Sequence, residues 1–296
     1  MRDSPVTWHT WVIVGVKVLA VAAALLIPAM PQPVAYHDFA DHRDVLGIHN
    51  FLDVASNGAF LIVGVIGLVV ALGRRAQFEF TVERWPYVIF FVGVTLTAAG
   101  SAYYHLAPDN ETLFWDRLPM TIAFMGLVCS QIVDRISIRA GLALLIPMLM
   151  LGAASVIYWR ITERAGVGNV MPYGVLQGYS VVILLLLAVL KPSRYTHGKI
   201  LYWVFAWYVL SKILETYDAK VLEWIHLISG HTLKHVAAAI AGVAVWVMLT
   251  RRTLIARDPD PLANPPAAVA PEEVPPSSGT GALRGGDGGM RGTRPQ

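Results

Sequence analysis

The sequence predicts an all-α fold, a polytopic bundle of membrane-spanning helices. Of its 296 residues, 55% are hydrophobic and only 15% are charged, and the mean hydropathy is +0.55. A soluble domain of this length carries more charge and fewer apolar residues. Apolar stretches also recur along the chain, each close to the roughly 20 residues that a helix needs to cross the hydrocarbon core. Composition and hydropathy together therefore predict an integral membrane protein.

Eight apolar stretches are candidate spans. They cover approximately residues 8–30, 51–72, 86–107, 117–134, 140–158, 172–190, 199–216 and 231–250. The first is too long for the apolar region of a signal peptide and no small-residue cleavage site follows it, so we predict a helix of the mature protein. The seventh is the weakest, because Lys212, Glu215 and Asp218 crowd its end. From Arg257 onward, Pro, Ala, Gly and Ser without apolar periodicity predict a disordered tail.

Basic residues are distributed unequally between the two sides that eight spans define. One side holds both termini and the loops near 73–85, 135–139 and 191–198, with twelve Lys and Arg residues; the other holds four, or seven if span ends are counted. Because cytoplasmic loops are enriched in basic residues, both termini are predicted to be cytoplasmic. The formal net charge of +3 is too small to indicate a nucleic-acid partner.

Five polar residues fall at one predicted side of the membrane. Ser101 and His105 are four residues apart near the end of the third span, so they share a helix face. Asp116 opens the fourth span, and His231 and His235 are again four apart at the start of the eighth. Since successive spans alternate in direction, these ends lie on the same side, which is the extracytoplasmic one. The five groups are thus predicted to meet at one depth.

Three histidines with a fourth position left open are a recurring ligand set of catalytic zinc. A purely structural alternative is that each histidine is a hydrogen-bonded core or interfacial residue. A membrane electron carrier, with two of the histidines as axial haem ligands, is another alternative. The five groups together favour a functional site, because unpaired polar groups are costly inside a membrane.

Three motifs in this order resemble the alkaline ceramidase family. They are "GSAYYH", then "DRLPM", whose aspartate lies eleven residues after the motif histidine, and then "GHTLKH" in the last span. That family is part of a superfamily of seven-helix membrane hydrolases that also includes the adiponectin and progestin receptors. The resemblance covers about residues 45–250. It implies a seven-helix hydrolase core (45–254), so the first predicted span and its polar connector (1–44) would be an addition before this core, and the Pro/Ala/Gly-rich segment would be a disordered cytoplasmic tail after it (255–296).

The resemblance also implies a role for each of the five residues. Zinc would bind His105, His231 and His235. Asp116 would take a proton from the zinc-bound water and pass it to the leaving amine. Ser101 would form a hydrogen bond with the water or with the oxyanion. The reaction would be hydrolysis of the amide of a ceramide-like lipid, or of another N-acyl lipid, in a bacterial inner membrane. The alternatives are a helix-terminal carboxylate for Asp116, a bond from Ser101 to the carbonyl of residue 97, and, for the whole chain, a non-hydrolytic lipid receptor.

The segment before the second span departs from the family, in which an acidic segment binds calcium. Four carboxylates here could supply oxygen ligands: Asp38, Asp41, Asp44 and Asp53. Asn50, however, stands where the family has Glu. Three histidines also interrupt the segment: His37, His42 and His49. Calcium prefers carboxylate and carbonyl oxygens, so a solvated extracytoplasmic loop is the competing interpretation.

Overall fold

The computed structural model describes residues 8–255, and in this part of the chain every long element is an α-helix. The helices are α1 (Trp8–Leu26), α2 (Phe51–Ser56), α3 (Gly58–Leu72), α4 (Arg84–Leu106), α5 (Asn110–Arg135), α6 (Ile138–Arg164), α7 (Met171–Leu190), α8 (Leu201–Thr216), α9 (Asp218–Ile225) and α10 (Gly230–Arg251). The predicted all-α class is confirmed. The predicted tail from residue 256 onward lies outside the described residues.

The bundle is built from helices of membrane-crossing length. Five segments of the described chain are long and apolar enough to span a bilayer, namely α2 with α3, α4 with the short turn before it, α6, α7 and α10. The helix α5 is 26 residues long but carries charged residues near both ends, and α8 has only 16 residues. At 1.5 Å per residue, 20 residues cover about 30 Å, the thickness of the hydrocarbon core. The chain is a membrane helix bundle.

The start of α5 differs from the prediction, which placed the span at 117–134. The helix begins at Asn110, because the carboxylate of Asp109 accepts a hydrogen bond from the backbone N–H of Thr112 at 2.7 Å and caps it. Asp116 therefore does not open the helix but lies in its second turn. The helix dipole acts mainly within the first turn, so a purely helix-terminal role for Asp116 loses its basis.

Two local features near the histidine-bearing helices were not predicted. The second span is divided at Asn57, whose side-chain amide donates to the carbonyl of Asp53 at 2.8 Å, and α2 precedes this break. The short helix α9 fills part of the loop before α10. Both features carry polar side chains that contact α10, as described below.

Two glycines let the site-bearing helices approach closely. A Cβ atom on Gly100 of α4 would lie 1.9 Å from the carbonyl oxygen of Trp115 in α5. A Cβ atom on Gly230, at the start of α10, would lie 2.3 Å from the carbonyl oxygen of Leu214 in α8. Because any larger residue would clash with backbone, these glycines fix the α4–α5 and α10–α8 distances on either side of the site.

The end of the bundle away from the histidines is held by a buried ionic cluster. Arg252, directly after α10, donates to Asp134 of α5 at 2.8 Å, and the Tyr87 hydroxyl of α4 donates to the same carboxylate at 2.7 Å. All three side chains are buried. The cluster joins three helices at a depth where an unpaired charge is costly.

Candidate metal centre

Three histidine side chains meet between α4 and α10. Potential ligand atoms of His105, His231 and His235 all lie within 4.8 Å of one another, and all three residues are buried. The Nε2 atoms of His105 and His231 are 3.3 Å apart. The other ring pairs, His105–His235 and His231–His235, have centroids 5.0 Å apart. This group can hold a metal ion, and in the described residues it is the one such group of three or more His, Cys, Asp or Glu side chains.

The orientation of His235 is fixed by Ser56 at the end of α2. The Ser56 hydroxyl donates to the carbonyl of Asp53 at 3.0 Å and lies 2.8 Å from Nδ1 of His235. Because the hydroxyl proton is already engaged, its oxygen accepts from Nδ1–H. The His235 ring then leaves Nε2 unprotonated, which is the form that binds a metal.

Carboxylates from two other segments hold the first turn of α10 in place. Asp218 of α9 accepts a hydrogen bond from the backbone N–H of His231 at 2.7 Å. Asp53 of α2 is buried and accepts hydrogen bonds from the hydroxyls of Thr232 and Ser229. The Ser229 hydroxyl also caps α10 by accepting from the N–H of Thr232 at 3.0 Å. The position of the two α10 histidines therefore depends on α2 and α9.

The connector between α1 and α2 covers the histidines. The ring of Phe39 is buried and lies 4.6 Å from the His105 ring and 4.4 Å from the His231 ring, measured between centroids. The connector is anchored beside Phe39, where the Ala40 N–H donates to Asp218 at 2.9 Å. Phe39 thus shields one side of the group from water.

Ser101 and Asp116 line a cavity that also reaches His235. Its volume is about 440 Å³, and it runs between α4, α5, α7, α8 and α10. The wall is polar near Ser101 and Asp116, whereas Leu184 and Leu201 belong to its apolar remainder. The structure therefore brings all five predicted site residues to one end of the bundle, and places the serine and the aspartate where a bound molecule can reach them.

The four carboxylates considered for calcium do not converge. In the described residues they do not form a group that could hold a metal ion, and each has a different partner. Asp38 lies near His42, and Asp44 lies near His49. Asp41 pairs with Arg43, whose guanidinium holds the pKa of the Asp41 carboxyl below its usual value, and Asp53 supports α10 as described above. Calcium binding by this segment stays a prediction.

Several residues of the site were not singled out from the sequence. They are Phe39, Ser56, Arg117, Asp218 and Lys234. Charged residues inside a predicted span were a usable signal for Arg117 and Lys234. Ser56 belongs to the pair "SN" (56–57), which also resembles the ceramidase family, but its contact with His235 did not follow from the sequence. The sequence held no comparable signal for Phe39, because an aromatic residue in a loop is common without function.

The geometry also bears on the haem alternative. Axial haem ligands stand on opposite faces of a planar macrocycle. His105 and His231 contact each other directly, and the third ring is equally close to both. No pair of these histidines has room for a macrocycle between its rings, so the arrangement favours a single metal ion.

Comparison of the sequence with models of known protein families found no match, and comparison with curated proteins also found none. The chain is thus defined by its fold and site: an all-α membrane bundle with a buried three-histidine group that can hold a metal ion.

Proposed function

We propose that the chain is a zinc-dependent membrane hydrolase that cleaves the amide of a ceramide-like N-acyl lipid to a fatty acid and a sphingoid base. One observation carries the proposal: His235, a member of the buried three-histidine group, lines the same long cavity as Ser101 and Asp116. The motifs that resemble the alkaline ceramidase family contribute the same five residues. A lipid substrate is consistent with a cavity inside a membrane bundle.

The spacing of the histidines suits zinc. With Zn–N bonds of about 2.0–2.1 Å, two nitrogen ligands of a tetrahedral ion lie about 3.3–3.4 Å apart. The observed separation of the His105 and His231 Nε2 atoms is 3.3 Å. His235 presents its Nε2 because Ser56 engages Nδ1. A neutral imidazole set without a carboxylate or thiolate is also a usual donor set for catalytic zinc.

The proposed reaction assigns a proton path to Asp116. Bound zinc supplies a Lewis acid that polarises the amide carbonyl and acidifies water. The Asp116 carboxylate accepts a proton from the attacking water and delivers it to the amine nitrogen as the C–N bond breaks. The water oxygen thus ends in the fatty acid and its proton in the amine. The Ser101 hydroxyl donates a hydrogen bond to the oxygen that gains negative charge.

The cavity provides the place for the acyl chain. It extends along α8 from Glu215 to Leu201, a distance of about 20 Å at the rise of an α-helix. Leu184, Val204 and Phe205 are among the residues that line its inner part. A long acyl chain would pass from the bilayer into another apolar environment, so it would gain little hydrophobic free energy on binding. Its contacts with the cavity wall would instead position the amide at the polar end.

The proposed setting is a bacterial inner membrane with both termini in the cytoplasm and the histidines toward the extracytoplasmic side. It rests on the excess of basic residues in the loops at the opposite end from the histidines. A cytoplasm-dependent reporter fused after residue 255 should be active, and a periplasm-dependent reporter at the same position should be inactive. The reverse pattern would overturn the topology.

The decisive experiment is to incubate purified protein with a panel of N-acyl lipids and to measure released fatty acid. Asp116→Ala is the matched control: it should retain zinc and lose about 10²–10⁴-fold in turnover, the usual contribution of a positioned proton-transfer group. Wild-type turnover in this variant would refute the proton path. Full zinc occupancy without cleavage of any amide or ester lipid would instead favour a non-hydrolytic lipid receptor.

A further inference from the structure

The polar end of the cavity carries more cationic than acidic side chains. Three cationic residues line it, Arg117, Lys212 and Lys234, beside two acidic ones, Asp116 and Glu215. Charged residues within a membrane bundle are costly unless they are paired or serve a function. With two acidic side chains for three cations among residues 8–255, this end of the cavity has one cation in excess, which an anionic group of a bound molecule can pair with.

One glutamate is shared by both lysines. Lys212 of α8 and Lys234 of α10 each lie 2.7 Å from a different oxygen of Glu215. An ammonium group has three N–H donors, so each lysine can still donate toward the cavity that it lines. Lys234 lines the cavity together with His235, so its charge lies on the same side of the cavity as the candidate metal centre.

Within residues 8–255, Arg117 forms no salt bridge with an acidic side chain. Its Nη2 donates to the side-chain oxygen of Gln32 at 2.6 Å, and its guanidinium lies over the rings of Trp159 and Tyr173, at 4.4 and 4.8 Å from their centroids. The residue is only 5% exposed, yet among the described residues Nη1 has no hydrogen-bond partner. The aromatic rings hold the guanidinium rigidly without neutralising it, which suits recognition of an oxyanion.

The positions of these cations relative to the reacting groups define which part of a lipid they meet. Arg117 directly follows Asp116, and Lys234 directly precedes His235, whereas the apolar part of the cavity extends away from both. With the acyl chain in the apolar part, the amine portion of the substrate lies among the cations. We infer that Arg117, Lys212 and Lys234 form a subsite for an anionic oxygen group, carboxylate or phosphate, on the amine portion of an N-acyl lipid. This inference rests on the proposed function and narrows its substrate to an N-acyl lipid whose amine portion carries an acidic group, as opposed to a neutral ceramide.

Binding can be tested without any reaction. The probes are dodecyl phosphate, dodecanoate and dodecanol, titrated calorimetrically into the zinc-loaded protein in a neutral detergent. Wild type should bind dodecyl phosphate at least about tenfold more tightly than dodecanol, a difference of about 1.4 kcal/mol. Equal affinity for the anionic and neutral probes would overturn the inference.

Variants distinguish a specific anion subsite from nonspecific attraction of anions by the net positive charge of the protein. Arg117→Gln and Lys212→Gln should each reduce the preference for dodecyl phosphate at least about threefold; either variant suffices if the other fails to fold. The control is Arg164→Gln, which removes an exposed arginine that pairs with Glu111 and does not line the cavity. An equal loss in the control would attribute the preference to overall charge and contradict the subsite.

Hydrolysis assays show whether the anion that the cations bind belongs to the amine portion of the substrate or to the fatty acid product. N-acyl lipids with one acyl chain and a neutral, carboxylate-bearing or phosphate-bearing amine portion are compared by kcat/KM. In wild type, kcat/KM should be higher for the two acidic substrates than for the neutral one. In Arg117→Gln this difference should disappear. Tight binding of dodecanoate with equal kcat/KM for all substrates would assign the cations to the product carboxylate and overturn the inference. If no amide is cleaved while dodecyl phosphate is still preferred, the proposed reaction fails and the anion subsite stands.

Discussion

The Nε2 atoms of His105 and His231 lie 3.3 Å apart across the interface between α4 and α10. Residues 126 positions apart in sequence thus present two metal-ligating atoms to each other. Two neutral imidazoles can share a single proton at this distance, whereas a metal ion can bind both lone pairs and a third from His235. Because this distance suits two ligands of one metal ion, the metal content of the protein is the first property to test.

Removal of one α10 histidine should remove the metal. Purified wild type is expected to hold about one zinc ion per chain, and His231→Ala or His235→Ala should hold little, because two remaining ligands bind zinc weakly. Metal content is measured by mass spectrometry of the protein after dialysis. His42→Ala, which changes an exposed histidine of the connector, is the control and should retain zinc. Full zinc in both α10 variants would place the ion elsewhere.

Ser56 should affect metal affinity although it is not a ligand. Ser56→Ala removes the acceptor for the Nδ1–H of His235 and frees the ring to rotate or change tautomer. Loss of such a supporting hydrogen bond lowers metal affinity about 10–100-fold. Competition with a chelator of known affinity measures the effect. An unchanged dissociation constant would mean that packing alone orients His235.

Ser101 should contribute to turnover and not to metal binding. Ser101→Ala is expected to lower kcat about 10²–10³-fold, the typical cost of losing one donor to a developing oxyanion, with KM and zinc content little changed. The control is Ser155→Ala, whose buried hydroxyl donates to the carbonyl of Gly152 within α6. A fall in zinc content in Ser101→Ala would indicate a structural role instead.

The ionic cluster at the opposite end should contribute to stability alone. Asp134→Ala leaves Arg252 buried without its carboxylate partner, and breaking such a pair costs about 3–5 kcal/mol. Denaturant unfolding in detergent micelles measures the loss. Asp44→Ala breaks an exposed pair with His49 and should change stability by less than about 1 kcal/mol. Zinc content should be unchanged in both folded variants.

The amino-acid sequence by itself determined the class of the protein and the composition of its centre. Apolar stretches of bilayer length predict membrane helices, because the backbone can satisfy its hydrogen bonds there only internally. The four-residue spacings of Ser101 with His105 and of His231 with His235 place each pair on one helix face. Alternation of span direction then brings the three helix ends to one side of the membrane. These inferences need only local geometry.

Only the tertiary structure decided how this centre is enclosed and what surrounds it. Three contacts of the site join distant parts of the chain, and none of them follows from a helical period. They are Phe39 with the histidines, Ser56 with His235, and Arg117 with Trp159. Likewise, capping by Asp109 starts α5 earlier than the sequence predicted, so that Asp116 lies in the second turn of the helix and not at its start. The physical reason is that periodicity fixes which face of a helix a residue occupies, whereas side-chain packing between helices fixes which residues meet.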